Sequence, residues 1–264
     1  MLPWFLGCSK PPAAVDPAPL ARTTLTVFAA ASLAESFAEI GKKFAADNPE
    51  VTVQFSFAGS QQLRAQLESG AQADIFASAN EKEMNAAKAD SLVQPDTVHD
   101  FARNRLVVIY PASNPAKIGT LSDLGRAGVK IDVADVSVPV GKYGQQMVEA
   151  MARDPGFGPD FEKCFLANVV SREENVKSVL SKVRLGEADA GVVYVTDVTP
   201  DAAKEVASLD VPDQFNQIAS YPIAVLAKAP QPDWARRFED YVLSGDGRNI
   251  LREHHFLAAP SDGH

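Results

Sequence analysis

Short apolar runs alternate along this chain with longer stretches whose apolar positions recur every third or fourth residue, the pattern of strands between helices. Residues 25–29 predict a buried strand. Residues 33–48 predict an amphipathic helix with Leu33, Phe37, Ile40 and Phe44 on one face, ended by Asn48 and Pro49. A strand over 51–57 and a helix over 61–69 follow, with Leu63 and Leu67 inward and Gly70 as the cap. Next come a short strand at 74–78, a helix at 81–89, a strand at 106–110 and a helix opening at 122–124. A strand at 130–134, a helix at 140–152, a strand at 169–170, a helix at 174–185 and a strand at 191–195 continue the alternation. A strand at 223–226 and helices at 234–243 and 247–253 close it. Such an order gives an α/β fold with mostly parallel sheets, and it holds more elements than one doubly wound sheet comfortably takes, so two lobes are expected.

In open α/β sheets ligands sit outside the carboxyl ends of strands. Two such ends are alike here. Each apolar strand runs into small residues, then a serine, then a helix: LTVFAAASL at 25–33 with Ser32, and VTVQFSFAGSQ at 51–61 with Ser60. Ser32 is expected to cap the helix that starts at Leu33, and Ser60 to repeat the arrangement next door. Gly59 lets the backbone approach a bound group. Hydroxyls and unpaired N–H groups at helix starts make an anion site without a cationic side chain. Three later segments add to it. VPVGKYG at 138–144 suits a turn that presents the Val140 N–H, REENVK at 172–177 reads as a helix start, and EADAGVVYVTD at 187–197 is a strand ending in Tyr194.

Composition narrows the partners. With 264 residues, 46% apolar and 22% charged, the chain has the make-up of an ordinary globular protein with a sizeable core. No apolar run approaches the roughly 20 residues of a membrane span. The formal charge of −9 and scattered Lys and Arg argue against nucleic acid, which needs a basic face. That charge also repels anions at long range, so an anion site must work through local dipoles. Of the two cysteines, Cys164 reads as a half-buried free thiol, and no cluster has metal-ligand spacing.

Cys8 differs. MLPWFLGCSK resembles the end of a bacterial lipoprotein signal, in which apolar residues and a small residue precede a cysteine that becomes lipidated. The apolar stretch is shorter than the usual roughly 7–15 residues, which suggests a start further upstream. Four prolines over residues 11–19 then make a semi-rigid tether.

Six segments occur in order: FAAASL at 28–33, FAGSQQL at 57–63, ADIFASA at 73–79, VPVG at 138–141, AGVVY at 190–194 and YPIAV at 221–225. Together they make the chain resemble the molybdate-binding proteins of bacterial ABC importers, over roughly 24–257. The resemblance implies a two-lobed, type II periplasmic-binding-protein fold that closes on a tetrahedral oxyanion. It places the ligand-binding hydroxyls on Ser32, Ser60 and Tyr194 and the main-chain donors on Val140 and Val176. It implies molybdate, and with it tungstate, as the ligand, held through these donors without direct metal ligands. It implies no cofactor, no catalysis, an ABC transporter permease as partner, and a monomer that is periplasmic or lipid-anchored outside the cytoplasmic membrane. Gly59 departs from the family, standing where a serine is found, and position 140 is Val where some members have Ala.

Molybdate carries two charges, four oxygens and no proton at neutral pH, so a site of donors alone suits it. Hydrogen bonds to a charged group contribute roughly 1.5–3 kcal/mol each, and each helix N-terminus adds about half a positive charge. The expected organisation is a signal remnant and tether over 1–21, one lobe of 22–100 with 221–264, and a second of 101–220. The alternatives are a receptor of the same fold for sulfate, phosphate or a small organic anion, and, more remotely, a serine-dependent hydrolase. The hydrolase needs a base, yet His254, His255 and His264 lie near the C-terminus, His99 follows a loop, and no nucleophile elbow, Walker loop or dinucleotide fingerprint occurs.

Overall fold

The computed structural model describes residues 22–259. Residues 1–21, with the expected tether and the expected lipidation position Cys8, lie outside the described residues. In chain order the first elements are β1 (Thr23–Ala30), α1 (Ala34–Asp47), β2 (Val51–Ala58), α2 (Ser60–Glu68), β3 (Ile75–Ala77), α3 (Glu81–Ala89) and β4 (His99–Asn104). A second group holds β5 (Leu106–Pro111), β6 (Ile131–Ala134), α4 (Pro139–Ala152), α5 (Phe161–Asn168), β7 (Val169–Glu173), α6 (Val176–Arg184), β8 (Ala190–Tyr194) and β9 (Val206–Asp210). The chain ends with β10 (Ala219–Val225), α7 (Pro232–Leu243), α8 (Gly245–Glu253) and β11 (Leu257–Ala258).

Two helix-flanked sheets result. One is six-stranded in the order β11-β4-β10-β3-β1-β2, the other five-stranded in the order β7-β6-β8-β5-β9. Parallel pairing is confined to β1 with β2 and β3, and to β6 with β7 and β8. Strands β4, β5, β9, β10 and β11 join antiparallel, so both sheets are mixed where the sequence reading has them mostly parallel. The reason is the path of the chain. Only Arg105 separates β4 of the first sheet from β5 of the second, and β10 returns to the first sheet after β9. Parallel neighbours need a crossover connection, and the strands at which the chain changes sheets have none to their antiparallel partners.

Central β1 is buried from Val27 to Ala30, as a strand covered on both faces must be. Helix α1 buries Phe37, Ile40, Gly41 and Phe44, one face at helical spacing, and ends where Asn48 Nδ2 donates to the Phe44 carbonyl at 2.8 Å. Phe44 meets Phe238 of α7 edge-on at 5.2 Å, and Phe37 lies 5.6 Å from Phe101 of β4. Burial of each ring contributes roughly 1.5–3 kcal/mol. The core thus packs around β1, β6 and β8, and their carboxyl ends, with that of the half-buried β2, lead to the site.

Candidate oxyanion-binding site

Ser32, Ser60, Val140, Val176 and Tyr194 line one cleft, together with Ala30, Ala31, Ala58, Gly59, Ala79, Val138, Pro139 and Asn175. The cleft is nearly shut, with a cavity volume of only about 10 Å³. Among the described residues, no charged side chain lines it. The five residues come from both sheets: Ser32 and Ser60 follow β1 and β2, Val140 and Val176 open α4 and α6, and Tyr194 ends β8.

The expected cap at Ser32 is not what the chain forms. Residues Ala31–Leu33 make one 3-10 turn, α1 starts at Ala34, and its N-cap Leu33 offers no side-chain bond. Ser32 Oγ instead lies 2.8 Å from the Tyr221 hydroxyl, 189 residues away in sequence. Asn104 Nδ2 donates to the same Tyr221 oxygen at 3.3 Å and to Thr196 Oγ1 at 2.8 Å. Nor does Ser60 cap α2. It is the first helical residue after the N-cap Gly59, and its Oγ accepts from the Ala79 N–H at 3.0 Å. Its proton therefore remains free to donate. Both serines are buried.

Helix α4 begins with Pro139 at its first position, where a missing N–H costs nothing. Gly141 allows the helix to start over the end of β6, since a Cβ there would lie 2.0 Å from the Asp135 carbonyl oxygen. Helix α6 begins at Val176, two residues later than expected, because Asn175 Oδ1 accepts from the Ser178 N–H at 3.0 Å and caps it. Neither the Val140 nor the Val176 N–H donates to a backbone carbonyl among the described residues, as first-turn amides. The dipoles of α2, α4 and α6 place positive ends on the cleft.

Tyr194 Oη is buried and has no hydrogen-bond partner among the described residues. Burial, reinforced by the neighbouring Tyr221, Tyr143 and Asp197, holds its phenol well above the ordinary tyrosine range. It remains a protonated donor at any physiological pH.

The acceptors that would suit a protonated anion are occupied elsewhere. Asp74 accepts from the Thr26 and Gln231 N–H groups, each at 2.7 Å. Asp197 accepts from the Tyr194 N–H at 3.1 Å and lies 3.1 Å from Lys177 Nζ. Lys142 is exposed, and Cys164 is a half-buried free thiol. His254 sits 3.0 Å from Glu39, and no described histidine lines the cleft beside either serine.

Contacts across the cleft join the two sheet layers. Lys177 Nζ on α6 lies 2.8 Å from both carboxylate oxygens of Glu35 on α1. Gln61 Nε2 donates to the Glu174 carbonyl at 3.0 Å, and Gln62 Nε2 to the Glu174 carboxylate at 2.8 Å. A Cβ on Gly59 would lie 2.5 Å from that same Glu174 carbonyl oxygen. Sequence reading finds none of these pairs, nor Asn104 or Tyr221, because each joins positions about a hundred residues or more apart.

A two-sheet α/β molecule with a donor-lined cleft between its layers is a solute-binding protein by architecture. The chain belongs to the family of bacterial extracellular solute-binding proteins, whose profile matches residues 25–257. It is 41% identical over 234 residues to the molybdate-binding protein ModA of Mycobacterium bovis, covering 88% of this chain and 84% of that one. Among solved structures it resembles the periplasmic molybdate-binding protein of Azotobacter vinelandii, with a TM-score of 0.76 and 19% identity over 89% of this chain and 99% of that one. The sulfate-binding protein SubI of Mycobacterium tuberculosis gives a TM-score of 0.78 and 19% identity over 90% and 88%. These two likenesses confirm the type II periplasmic-binding-protein fold.

Proposed function

We propose that this chain is an extracytoplasmic receptor that captures molybdate, and tungstate equally, and delivers it to the permease of an ABC transporter. The observation that supports it is the cleft itself: residues with three hydroxyls and two first-turn amides line one small space, and among the described residues no charged side chain lines it. Such a set matches a dianion that offers acceptors only. Five bonds at roughly 1.5–3 kcal/mol each offset the several kcal/mol of stripping the ion of water, and three helix N-termini balance most of its charge. Descent from the same family as the mycobacterial ModA supports molybdate over other anions.

In this reading Ser32, Ser60 and Tyr194 donate through hydroxyls, Val140 and Val176 through the main chain. The two sheets are the cores of two lobes. The chain crosses between them at Arg105 and between β9 and β10, a few residues from the boundaries at 101 and 220 that the sequence suggests. Only the closed form brings donors from both lobes to the ion, so the ion favours closure. The protein acts as a carrier rather than an enzyme, since neither serine has a base beside it among the described residues. It works as a monomer without cofactor or nucleic acid, and Cys8, if lipidated, tethers it to the outer face of the cytoplasmic membrane.

Isothermal titration of the purified protein with molybdate, tungstate, sulfate and hydrogen phosphate tests the proposal. Molybdate and tungstate should bind alike and at least tenfold more tightly than sulfate, with phosphate weaker still. Tightest binding of sulfate or phosphate would overturn it.

A further inference from the structure

We propose that the cavity enclosed by α4, α5 and strands β6, β7 and β8 is a second ligand site, which takes a small organic ammonium ion with an apolar body. The inference does not depend on which anion the cleft between the sheets holds.

The cavity has a volume of about 310 Å³, against about 10 Å³ in the cleft. Its floor is apolar, made by Val133 of β6, Val148 of α4, Phe165 of α5, Val169 of β7 and Val192 of β8. Protein interiors are close-packed, and helices lying on a sheet normally fill such a space with side chains. Clefts that take small organic molecules begin at roughly this size and share this kind of lining. Gly144, in the interior of α4, helps to keep the space open. Its φ is not positive, and a Cβ there would meet Val192 Cγ1 at 3.5 Å, an ordinary contact. Neither the backbone nor the packing therefore calls for glycine, which weakens a helix interior relative to alanine. The room it leaves belongs to the cavity.

The mouth decides the charge of the ligand. Asp135, Glu162 and Arg172 are the charged residues of the lining. Asp135 accepts from the Ser137 hydroxyl at 2.7 Å and the Ser137 N–H at 2.9 Å. Those bonds, and after them the charge of Arg172, hold its carboxyl below the usual carboxylate range. An ionised Asp135 thus offsets Arg172. The half-buried Glu162 carboxylate has no hydrogen-bond or ion-pair partner among the described residues. One negative charge is left over beside an apolar space, on a chain of formal charge −9. Both favour a cation over an anion. A fitting ligand keeps its hydrocarbon inside and its ammonium head at the mouth, partly hydrated and next to Glu162. The site is thus opposite in chemistry to the donor-lined cleft. Val140 lines both spaces, so the two stand back to back at the first turn of α4.

Titration calorimetry at neutral pH tests this with three probes that share one apolar body and differ in the head: naphthylmethylammonium, naphthylmethanol and naphthylacetate. The ammonium should bind at a single site roughly tenfold more tightly than the acetate, which the same carboxylate repels, with the alcohol between them. Glu162→Gln should bring the ammonium to within about twofold of the alcohol and leave the alcohol itself unmoved. Gly144→Leu grows a side chain into the room and should abolish binding of all three. Should that variant not fold, Glu162→Gln, a change at the mouth, decides the matter. Absence of saturable binding, equal affinity for the three heads, or tightest binding of the acetate would overturn the assignment. An ammonium preference that survives Glu162→Gln would do the same, as would binding that survives Gly144→Leu, because the probe would then lie elsewhere.

Discussion

Tyr194→Phe should act on binding and on folding with opposite signs. In the structure the Tyr194 hydroxyl is buried with no hydrogen-bond partner among the described residues, so its lost hydration is not compensated there. Leaving such a group unsatisfied costs roughly 1–3 kcal/mol, and the ring itself is retained in the variant. Ligand-free stability should therefore rise by about 1 kcal/mol, read as a melting point higher by a few degrees for a chain of this size. Binding should move the other way. One charge-assisted hydrogen bond to the anion is lost, worth roughly 1.5–3 kcal/mol, which weakens molybdate binding roughly 10- to 150-fold. Urea denaturation without ligand and calorimetric titration with molybdate measure the two halves separately. A variant that loses stability while binding molybdate as before would show that the hydroxyl serves the fold, and would remove Tyr194 from the site.

Ser60→Ala should lower both quantities, by about 1–3 kcal/mol each, because it removes a donor to the ion and orphans the Ala79 N–H; a change in only one, by the same two assays, would contradict the shared role. Asp132 is buried, neither carboxylate oxygen has a close hydrogen-bond partner among the described residues, and burial, then the charge of Glu173, pushes its pKa up to about 7. A folded pKa above the unfolded one makes the fold prefer the neutral form. The penalty is thus absent near pH 4, grows as pH rises toward 7, and is full above it, at most a few kcal/mol. Asp132→Asn should accordingly stabilise the protein at pH 8 and progressively less toward pH 4, and a gain independent of pH would refute this. Glu35→Gln removes the link from α1 to Lys177 while sparing the buried Asp197 pair. The exposed contact is worth under about 1 kcal/mol, so a larger ligand-free radius of gyration by X-ray scattering is expected with less than tenfold change in affinity, and an unchanged radius would deny the link a role in closure.

Much of the fold is legible because its signals are local. The α1 face at Phe37, Ile40 and Phe44, the paired strand-to-serine ends, and Pro139 opening α4 follow from periodicity and turn chemistry within a few residues. The elements missed are those without such a signal. Strand β4, HDFARN, lacks an apolar run, and β9, VASLD, looks like a loop until β5 pairs with it. Helix α5 gives too short a periodic signal, only eight residues around Cys164. In the site, the residue types were readable but their wiring was not. Ser32 reads as a cap within its own segment, but its partner is Tyr221, brought to it by the return of β10 along the opposite edge of β3. The one available hint was an asparagine at the buried end of β4, a polar group that must find partners somewhere.

Gly59 has a consequence for how the molecule measures its cargo. Where α2 approaches the segment before α6, a bare α-carbon faces the Glu174 carbonyl, and a Cβ there would meet that oxygen at 2.5 Å and the Gln61 amide at 2.6 Å. Any side chain at position 59 would hold the two layers apart, so this glycine sets how far they can approach. On the proposed reading, a bulkier residue there would widen the shut gap and blur the gauging of an ion by size.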